Sequence, residues 1–291
     1  MSHEARDVLH TTNKKIRKKR LYRRKVYAFF CFIILCVFIT GISFLSKQPS
    51  LRVQSISVEG TKTLTKDALT QAVHDNIDGS YLSIFPKNFI FFIHKNQIEK
   101  YLVARYPRIK NITIERNKTE LRVLLEERTA AYLWCGSEPF SETSLNQPCY
   151  YFDTRGYIFD TAPYFSTAVY FTLYDDYIAR PDTIDPIGSY IAHHDSIEPL
   201  LSFVASLQSL NIQGFALAIK DNMVTLYLGK NKNEHAPRLI WNTHDDFETL
   251  GSNLKSALAL EPMHTDVFGD MSRLDYIDLR YTGKVYYKIK K

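Results

Sequence analysis

Few residues in this chain have the types and spacing from which chemistry is built. Cys135 and Cys149 bracket a polar loop; in an oxidising compartment such a pair closes a disulfide, and in a reducing one it stays as two thiols. His193-His194 is the one histidine cluster, but adjacent residues on a strand point to opposite faces and do not readily share a metal. Asp175-Asp176 and Asp245-Asp246 resemble acid pairs for glycoside cleavage. The first pair precedes a proline-containing loop, and the second falls in a helix's first turn, where carboxylates favour the dipole. Structural roles suffice for both. No two glycines have G-x-G spacing, Gly229-Lys230 and Gly283-Lys284 lack the earlier glycine of a phosphate loop, and neither H-E-x-x-H nor G-x-S-x-G occurs. The expectation is a non-catalytic protein with no metal and no cofactor, whose function resides in its surfaces.

Those surfaces are positioned by an anchor. Residues 26–45 (VYAFFCFIILCVFITGISFL) carry no charge, and as a helix they span about 30 Å, the thickness of a bilayer's hydrocarbon core. Ten of the 37 Lys and Arg, against two of the 31 Asp and Glu, precede this run, leaving 27 basic and 29 acidic residues after it. The basic excess, with Lys18, Lys19, Arg20, Arg23, Arg24 and Lys25 nearest the run, is a topology signal that holds residues 1–25 in the cytoplasm. It is not a nucleic-acid patch, because the remainder is slightly acidic. A cleaved signal peptide has a shorter apolar region and a small-x-small site; Phe44-Leu45-Ser46-Lys47-Gln48 has none. An uncleaved single-pass anchor is expected, with residues 46–291 outside. Cys31 and Cys36 in the span read as small hydrophobes, whereas a Cys135–Cys149 bridge outside would stabilise by about 3 kcal/mol.

Beyond a linker (46–52), residues 53–58 alternate as a strand ending at Glu59-Gly60. Thr65 is placed to cap a helix with Ala68, Leu69, Ala72 and Val73 on one face. An aromatic stretch, 81–93, is interrupted by Pro86; its FIFFI run lacks the helical spacing of an immersed amphipathic segment. A second helix over 97–106 turns Ile98, Tyr101 and Leu102 inward and stops at Pro107, and strands follow at 109–115 and 121–125. Further on, strands are expected at 130–134 and 151–159, the latter bent at Arg155-Gly156. Asp195-Ser196-Ile197-Glu198 opens a helix with a stripe of Ile197, Leu200, Leu201, Val204 and Leu207. Strands at 215–219 and 224–228 meet at an Asp221-Asn222 turn, and Thr243 caps a helix carrying Phe247, Leu250, Leu254 and Leu258.

The order strand, helix, helix, strand, strand directly after a span resembles a POTRA domain (polypeptide-transport-associated), as do Ile56-Ser57-Val58-Glu59-Gly60 at its start and Leu121-Arg122-Val123-Leu124-Leu125-Glu126-Glu127-Arg128 at its end. The terminal run from Leu274-Asp275-Tyr276-Ile277-Asp278-Leu279-Arg280-Tyr281 to Tyr287 resembles the last strands of the FtsQ/DivIB family of bacterial cell-division proteins. Further family landmarks are Glu127-Arg128-Thr129-Ala130-Ala131, the Asp153 to Gly156 hairpin and Leu228-Gly229 before the last helix. The departures are residues 81–93 and the loop between the two outer cysteines. The resemblance implies an α+β chain: a basic tail (1–25), transmembrane helix (26–45), linker (46–52), POTRA domain (53–128) and β-domain with two helices (129–291). It also implies a divisome scaffold in the cytoplasmic membrane at the division septum, regulating septal peptidoglycan synthesis through FtsB/FtsL-type partners and other divisome components. A different class, a POTRA-type chaperone or secretion component, usually joins a barrel of amphipathic strands, for which residues 129–291 leave little room.

The last strand is the expected partner-binding edge. Between residues 276 and 290, Ile277, Leu279, Tyr281, Val285, Tyr287 and Ile289 alternate with Asp278, Arg280, Thr282, Lys284, Tyr286 and Lys288, so the first set packs and the second meets water. Thr282-Gly283 marks a bulge or a tight turn. A terminal edge accepts an extended segment by strand addition, although edge lysines such as Lys284 and Lys288 also discourage unwanted pairing. With the resemblance, the partner-binding residues are Tyr276, Asp278, Arg280, Tyr281, Lys284, Val285, Tyr286 and Tyr287, with Tyr281 and Tyr286 as anchors and Arg280 meeting a carboxylate.

Overall fold

The computed structural model describes residues 4–46, 48–81, 85–137, 139–140, 148–175, 185–191, 194–230, 233–261, 263–264 and 271–290. The chain is a mixed α+β protein divided into two compact units, Met1–Leu102 with Ile112–Leu125, and Val103–Asn111 with Glu126–Lys291.

In the first unit, α1 (Glu4–Ser46) is one continuous helix. Its stretch Tyr22–Ser46 is long and apolar enough to cross a membrane, and Arg23, Arg24 and Lys25 are exposed at its start. Lys and Arg are good helix formers, so the helix runs back through Lys18, Lys19 and Arg20 rather than starting at the apolar run. Strand β1 (Ser55–Glu59), helices α2 (Lys66–Ile77) and α3 (Lys95–Arg105), and strands β4 (Ile109–Asn117) and β5 (Glu120–Glu127) follow, with a small pair β2 (Ser80–Tyr81) and β3 (Phe85–Pro86) between the helices. The sheet order is β1-β5-β4, and β1 runs parallel to β5 with Val58 opposite Val123. Leu69, Ala72, Val73 and Ile77 from α2 and Ile98 and Leu102 from α3 are buried with Val58, Leu121 and Val123.

Two inward placements differ from expectation: Ala68 is exposed and Tyr101 is 37% exposed, both lying at the margin of their helices' buried stripes. Thr65 stands at the N-cap of α2 but makes no side-chain cap bond. The aromatic stretch divides its side chains, with Phe89, Ile90 and Ile93 buried and Phe91 66% exposed. At the end of β1 the chain turns through Gly60 at φ +92°, where a Cβ would lie 1.8 Å from the Leu125 carbonyl oxygen. Only glycine fits that approach.

The second unit is built on a nine-stranded sheet in the order β14-β13-β12-β11-β10-β9-β6-β7-β8. Its strands are β6 (Tyr132–Trp134), β7 (Cys149–Phe152), β8 (Ile158–Ala162), β9 (Thr172–Asp175), β10 (Gly214–Lys220), β11 (Met223–Leu228), β12 (Arg238–Asn242), β13 (Leu274–Asp278) and β14 (Tyr286–Ile289). The pairs β6/β9, β9/β10 and β12/β13 are parallel. Parallel neighbours need a crossover connection; that from β6 to β9 carries the β7/β8 hairpin, and the other two contain α4 (His194–Ser206) and α5 (Phe247–Leu258). Ile197, Leu200, Leu201 and Phe203 of α4 and Leu250, Leu254 and Leu258 of α5 share one core with Leu217, Leu226, Leu239, Trp241 and Ile277 of the sheet. Phe203 stacks on Phe247 at 5.0 Å and meets Trp241 edge-on at 5.6 Å.

Several local expectations are corrected here. Residues 130–131 lie outside β6, and the stretch around Arg155-Gly156 is the turn of the β7/β8 hairpin, as the Asp153 to Gly156 landmark implied, rather than a bend within one strand. Asp153 organises that turn: its Oδ1 accepts the backbone N–H groups of Arg155 and Tyr157, while Oδ2 pairs with Arg128 Nη1 at 2.5 Å. The α5 cap is Asp246, whose Oδ2 accepts Thr249 N–H at 2.8 Å. Thr243 instead donates its backbone N–H to Asn222 O, and Asp245 accepts the backbone N–H of Asn242. Helix α4 starts at His194, so Asp195 lies inside it and not at its cap. The Asp221 turn is as expected, with Asp221 at φ +54°.

Cys135 and Cys149 are joined by a disulfide that closes a sequence separation of 14 and abuts the β6/β7 pair. Cys135→Ser is expected to lower the second unit's stability by about 3 kcal/mol, measured by urea unfolding through the emission of Trp134 and Trp241. Gly60→Ala is expected to cost the first unit more than about 2 kcal/mol, from positive φ plus the clash, read by far-UV circular dichroism.

Candidate functional site

The C-terminal residues do not form one long strand. The chain leaves β13 at Asp278, turns, and returns as β14, antiparallel, with Ile277 opposite Tyr287 and Asp278 opposite Tyr286. Lys284 N–H donates to Tyr281 O at 3.0 Å, and Gly283 at φ +69° supplies the left-handed residue the turn requires. The outcome is the turn at Thr282-Gly283 and not the bulge. Strand β14 ends the sheet, so among the described residues no strand lies on its outer side. Lys290 N–H donates to Arg273 O at 2.8 Å. Backbone groups alternate sides along a strand, so those of Ile289 face away from β13.

One side chain changes face from what alternation implied: Tyr281, expected to pack, is 53% exposed, because the chain leaves strand geometry at Leu279, which is itself buried and donates its N–H to Ile240 O at 2.8 Å. Asp278 keeps the outer face, opposite Tyr286, but with Arg280 on its carboxylate it is only 5% exposed rather than in water. Val285, Tyr287 and Ile289 keep their expected face and pack against the main core, while Tyr286 and Lys288 are outward. Tyr276 is half-buried opposite Lys288, and Lys284 is exposed in the turn.

The hairpin tip brings four of the expected residues together. Tyr281 and Tyr286 meet edge to face with ring centroids 5.1 Å apart, and Tyr286 is 48% exposed. Beside them, Arg280 Nε and Nη2 donate to the Asp278 carboxylate at 2.9 and 2.6 Å, and Arg280 N–H adds a bond to Asp278 Oδ1 at 3.1 Å. Burial pushes the Asp278 carboxyl up, but the hydrogen bonds and charge of Arg280 outweigh it and hold it below the usual range. Its bond to Asp278 raises Arg280 above its ordinary value. The fork expected to meet a partner's carboxylate is therefore turned onto the chain's own, where it holds the tip.

Sequence reasoning missed a second set. A register shift between Leu274 and Tyr276 leaves Asp275 outside the ladder, and its carboxylate takes Arg238 from β12 at 2.9 Å and Lys288 from β14 at 3.0 Å. The Lys288 bond, with Arg238 in support, lowers the Asp275 carboxyl against the opposing effect of burial. Lys290 Nζ donates to His235 O at 2.8 Å. These lysines fold back onto their own sheet, while Lys284 is exposed in the turn. Arg238 lies more than thirty residues upstream of β13, and only the parallel β12/β13 pairing brings it here; the sequence carries no local signal for that.

Among the described residues no group of three or more His, Cys, Asp or Glu side chains is arranged to hold a metal. His193 and Asp176 lie outside the described residues. Asp175 is buried at the end of β9, and Asp245 and Asp246 are occupied by Asn242 and by the α5 cap. The chain matches no known protein family's sequence profile, and no curated protein sequence matches it significantly.

Asp278→Asn is expected to lower stability by about 1–3 kcal/mol at neutral pH and to flatten the acid limb of the stability profile. A carboxyl held below its ordinary value of about 3.9 contributes fully above that value, and the contribution is lost as pH falls through the depressed one. Urea midpoints of wild type and variant across acid pH check both points.

Proposed function

We propose that this chain is a non-catalytic, single-pass membrane scaffold of the FtsQ/DivIB kind, and that its terminal hairpin takes up an extended segment of FtsB/FtsL-type division partners. On this reading residues 1–25 lie in the cytoplasm and the two units lie outside it, at the division septum. There the chain links early and late division proteins and regulates septal peptidoglycan synthesis through contacts alone.

One observation carries the reading. The edge strand β14 ends a large sheet and presents an exposed Tyr281–Tyr286 pair on a tip braced from within by Asp278 and Arg280. Aromatic anchors beside the terminal strand of a sheet are the elements of strand-addition recognition. The anchor rests on the apolar helix with its basic approach. The POTRA reading of the first unit draws support from its β-α-α-β-β order, the parallel β1/β5 pair and the turn at Glu59-Gly60.

Capture of FtsB/FtsL-type partners by the full-length chain in detergent is expected to be lost on combining Tyr281→Ala with Tyr286→Ala, with the circular dichroism spectrum unchanged. Capture at the wild-type level by a folded double variant would refute the terminal edge as the docking site.

A further inference from the structure

In the first unit, the covering of α1 changes abruptly at its end. The most apolar part of the spanning stretch is uncovered, yet Ser46, the last helical residue, is fully buried. Strand β3 of the aromatic segment lies in contact with this helix. The linker does not extend away from the helix but coils: Gln48 N–H donates to Leu45 O, Leu51 N–H to Gln48 O and Arg52 N–H to Pro49 O, at 3.1 to 3.2 Å. Arg52 Nε then reaches back to the Ser46 carbonyl at 3.1 Å.

Leu51 and Arg52 of this linker, with Val53 just after it, hold the aromatic segment. Ile90 N–H donates to Leu51 O at 2.9 Å, Val53 N–H donates to Asn88 O at 3.0 Å, and Arg52 bridges Phe89. Phe91 is two residues beyond that bridge, within about 7 Å along the chain. Its neighbours Phe89, Ile90 and Ile93 are buried, whereas its own ring is 66% exposed. The Arg116 guanidinium lies 5.8 Å from the ring centroid and is fixed by a 2.7 Å bond from Nη1 to Ile90 O.

A single exposed phenylalanine on a soluble surface needs no explanation. This one is tied by two hydrogen-bonded steps to the residue at which an apolar span ends. Where the span leaves the hydrocarbon core, a headgroup layer about 5–7 Å thick begins, the zone in which aromatic rings and flanking cations settle. The surrounding sequence suits an anionic surface: residues 46–58 and 79–98 contain Lys47, Arg52, Lys87 and Lys95 and no Asp or Glu.

We propose that the collar formed by residues 88–92 and the linker is a lipid-binding site. Phe91 enters the headgroup–acyl boundary of the bilayer crossed by α1, and Arg116 meets lipid phosphate above it. The inference rests on α1 being a span, and it assigns the aromatic segment a double role, in which Phe89, Ile90 and Ile93 fill the core and Phe91 seats the unit on the membrane.

The test uses the full-length chain reconstituted in phosphatidylcholine–phosphatidylglycerol vesicles, with and without bromine high on the acyl chains. The natural Trp134 and Trp241 are buried in the second unit and supply the baseline. Phe91→Trp is expected to add emission that is blue-shifted and strongly quenched by the brominated lipid, while Tyr101→Trp, on α3 of the same unit, adds emission that is not. Added emission as red as that of a water-exposed indole overturns the proposal and leaves the span intact. A blue shift that bromine does not quench assigns the ring to a protein surface and also overturns it. A chain washed off the vesicles by alkaline carbonate overturns the span and the collar together.

Discussion

Burial of one face of the nine-stranded sheet beneath α4 and α5 is the constraint from which the geometry of the second unit follows. Leu217, Leu226, Leu239, Trp241 and Ile277 all enter that core, and at about 25 cal/mol per Å² of apolar area it dominates the favourable side of folding. A strand joining such a sheet must present its apolar side chains to the helices. For β14 this means Val285, Tyr287 and Ile289 inward. Tyr286 and Lys288 are then forced outward, and the sheet ends with one side of β14 beyond the last ladder. The exposure of the candidate edge is a consequence of core packing rather than an independent feature.

Electrostatics completes what packing begins. Asp278 and Arg280 are two residues apart, and Arg280 closes a bidentate contact on the Asp278 carboxylate while its backbone N–H, bonded to the same group, bends the chain as it leaves β13. A buried carboxylate is costly unless its oxygens are satisfied, so this contact favours the turned conformation over an extended one. The Arg238–Asp275–Lys288 row does the same along the strands, joining β12, β13 and β14. Lysines on an edge usually keep other strands away. Here Lys288 and Lys290 are held by Asp275 and His235, which weakens that defence where the aromatic pair is exposed.

The helices of both units were legible because their apolar stripes repeat at helical period, and the Asp221 turn because its residues tolerate positive φ. The terminal run reads equally as one bulged strand or as two strands joined by a tight turn, for a specific reason. In the hairpin Ile277 faces Tyr287, so odd-numbered residues point inward on both arms. The alternation of apolar and polar letters therefore passes through the turn without a break, and pattern alone cannot tell one strand from two. The α5 cap was missed because two good capping residues stand three apart; Asp246 reaches Thr249, and Thr243 is taken by Asn222. The division of residues 88–93 between buried and exposed side chains was hidden because neither strand nor helix period governs them. Their split is set by pairing with the linker.

A strand four residues long bears on what such an edge can do. Ile289, whose backbone groups face away from β13, offers about two main-chain hydrogen bonds to an added segment, and at about 0.5–1.5 kcal/mol net apiece these total roughly 1–3 kcal/mol. Association costs about 4–15 kcal/mol in lost freedom, so backbone pairing alone does not hold a free peptide in solution. Two further terms are needed. The tyrosine pair can supply about 2 kcal/mol or more per anchoring residue when covered. On the proposed reading the span supplies the other, because partners anchored in the same membrane meet at an effective concentration that a soluble pair does not reach. The proposal thus joins the short edge, the aromatic tip and the apolar helix in one recognition scheme, in which weak strand pairing becomes productive only between chains already confined to one surface.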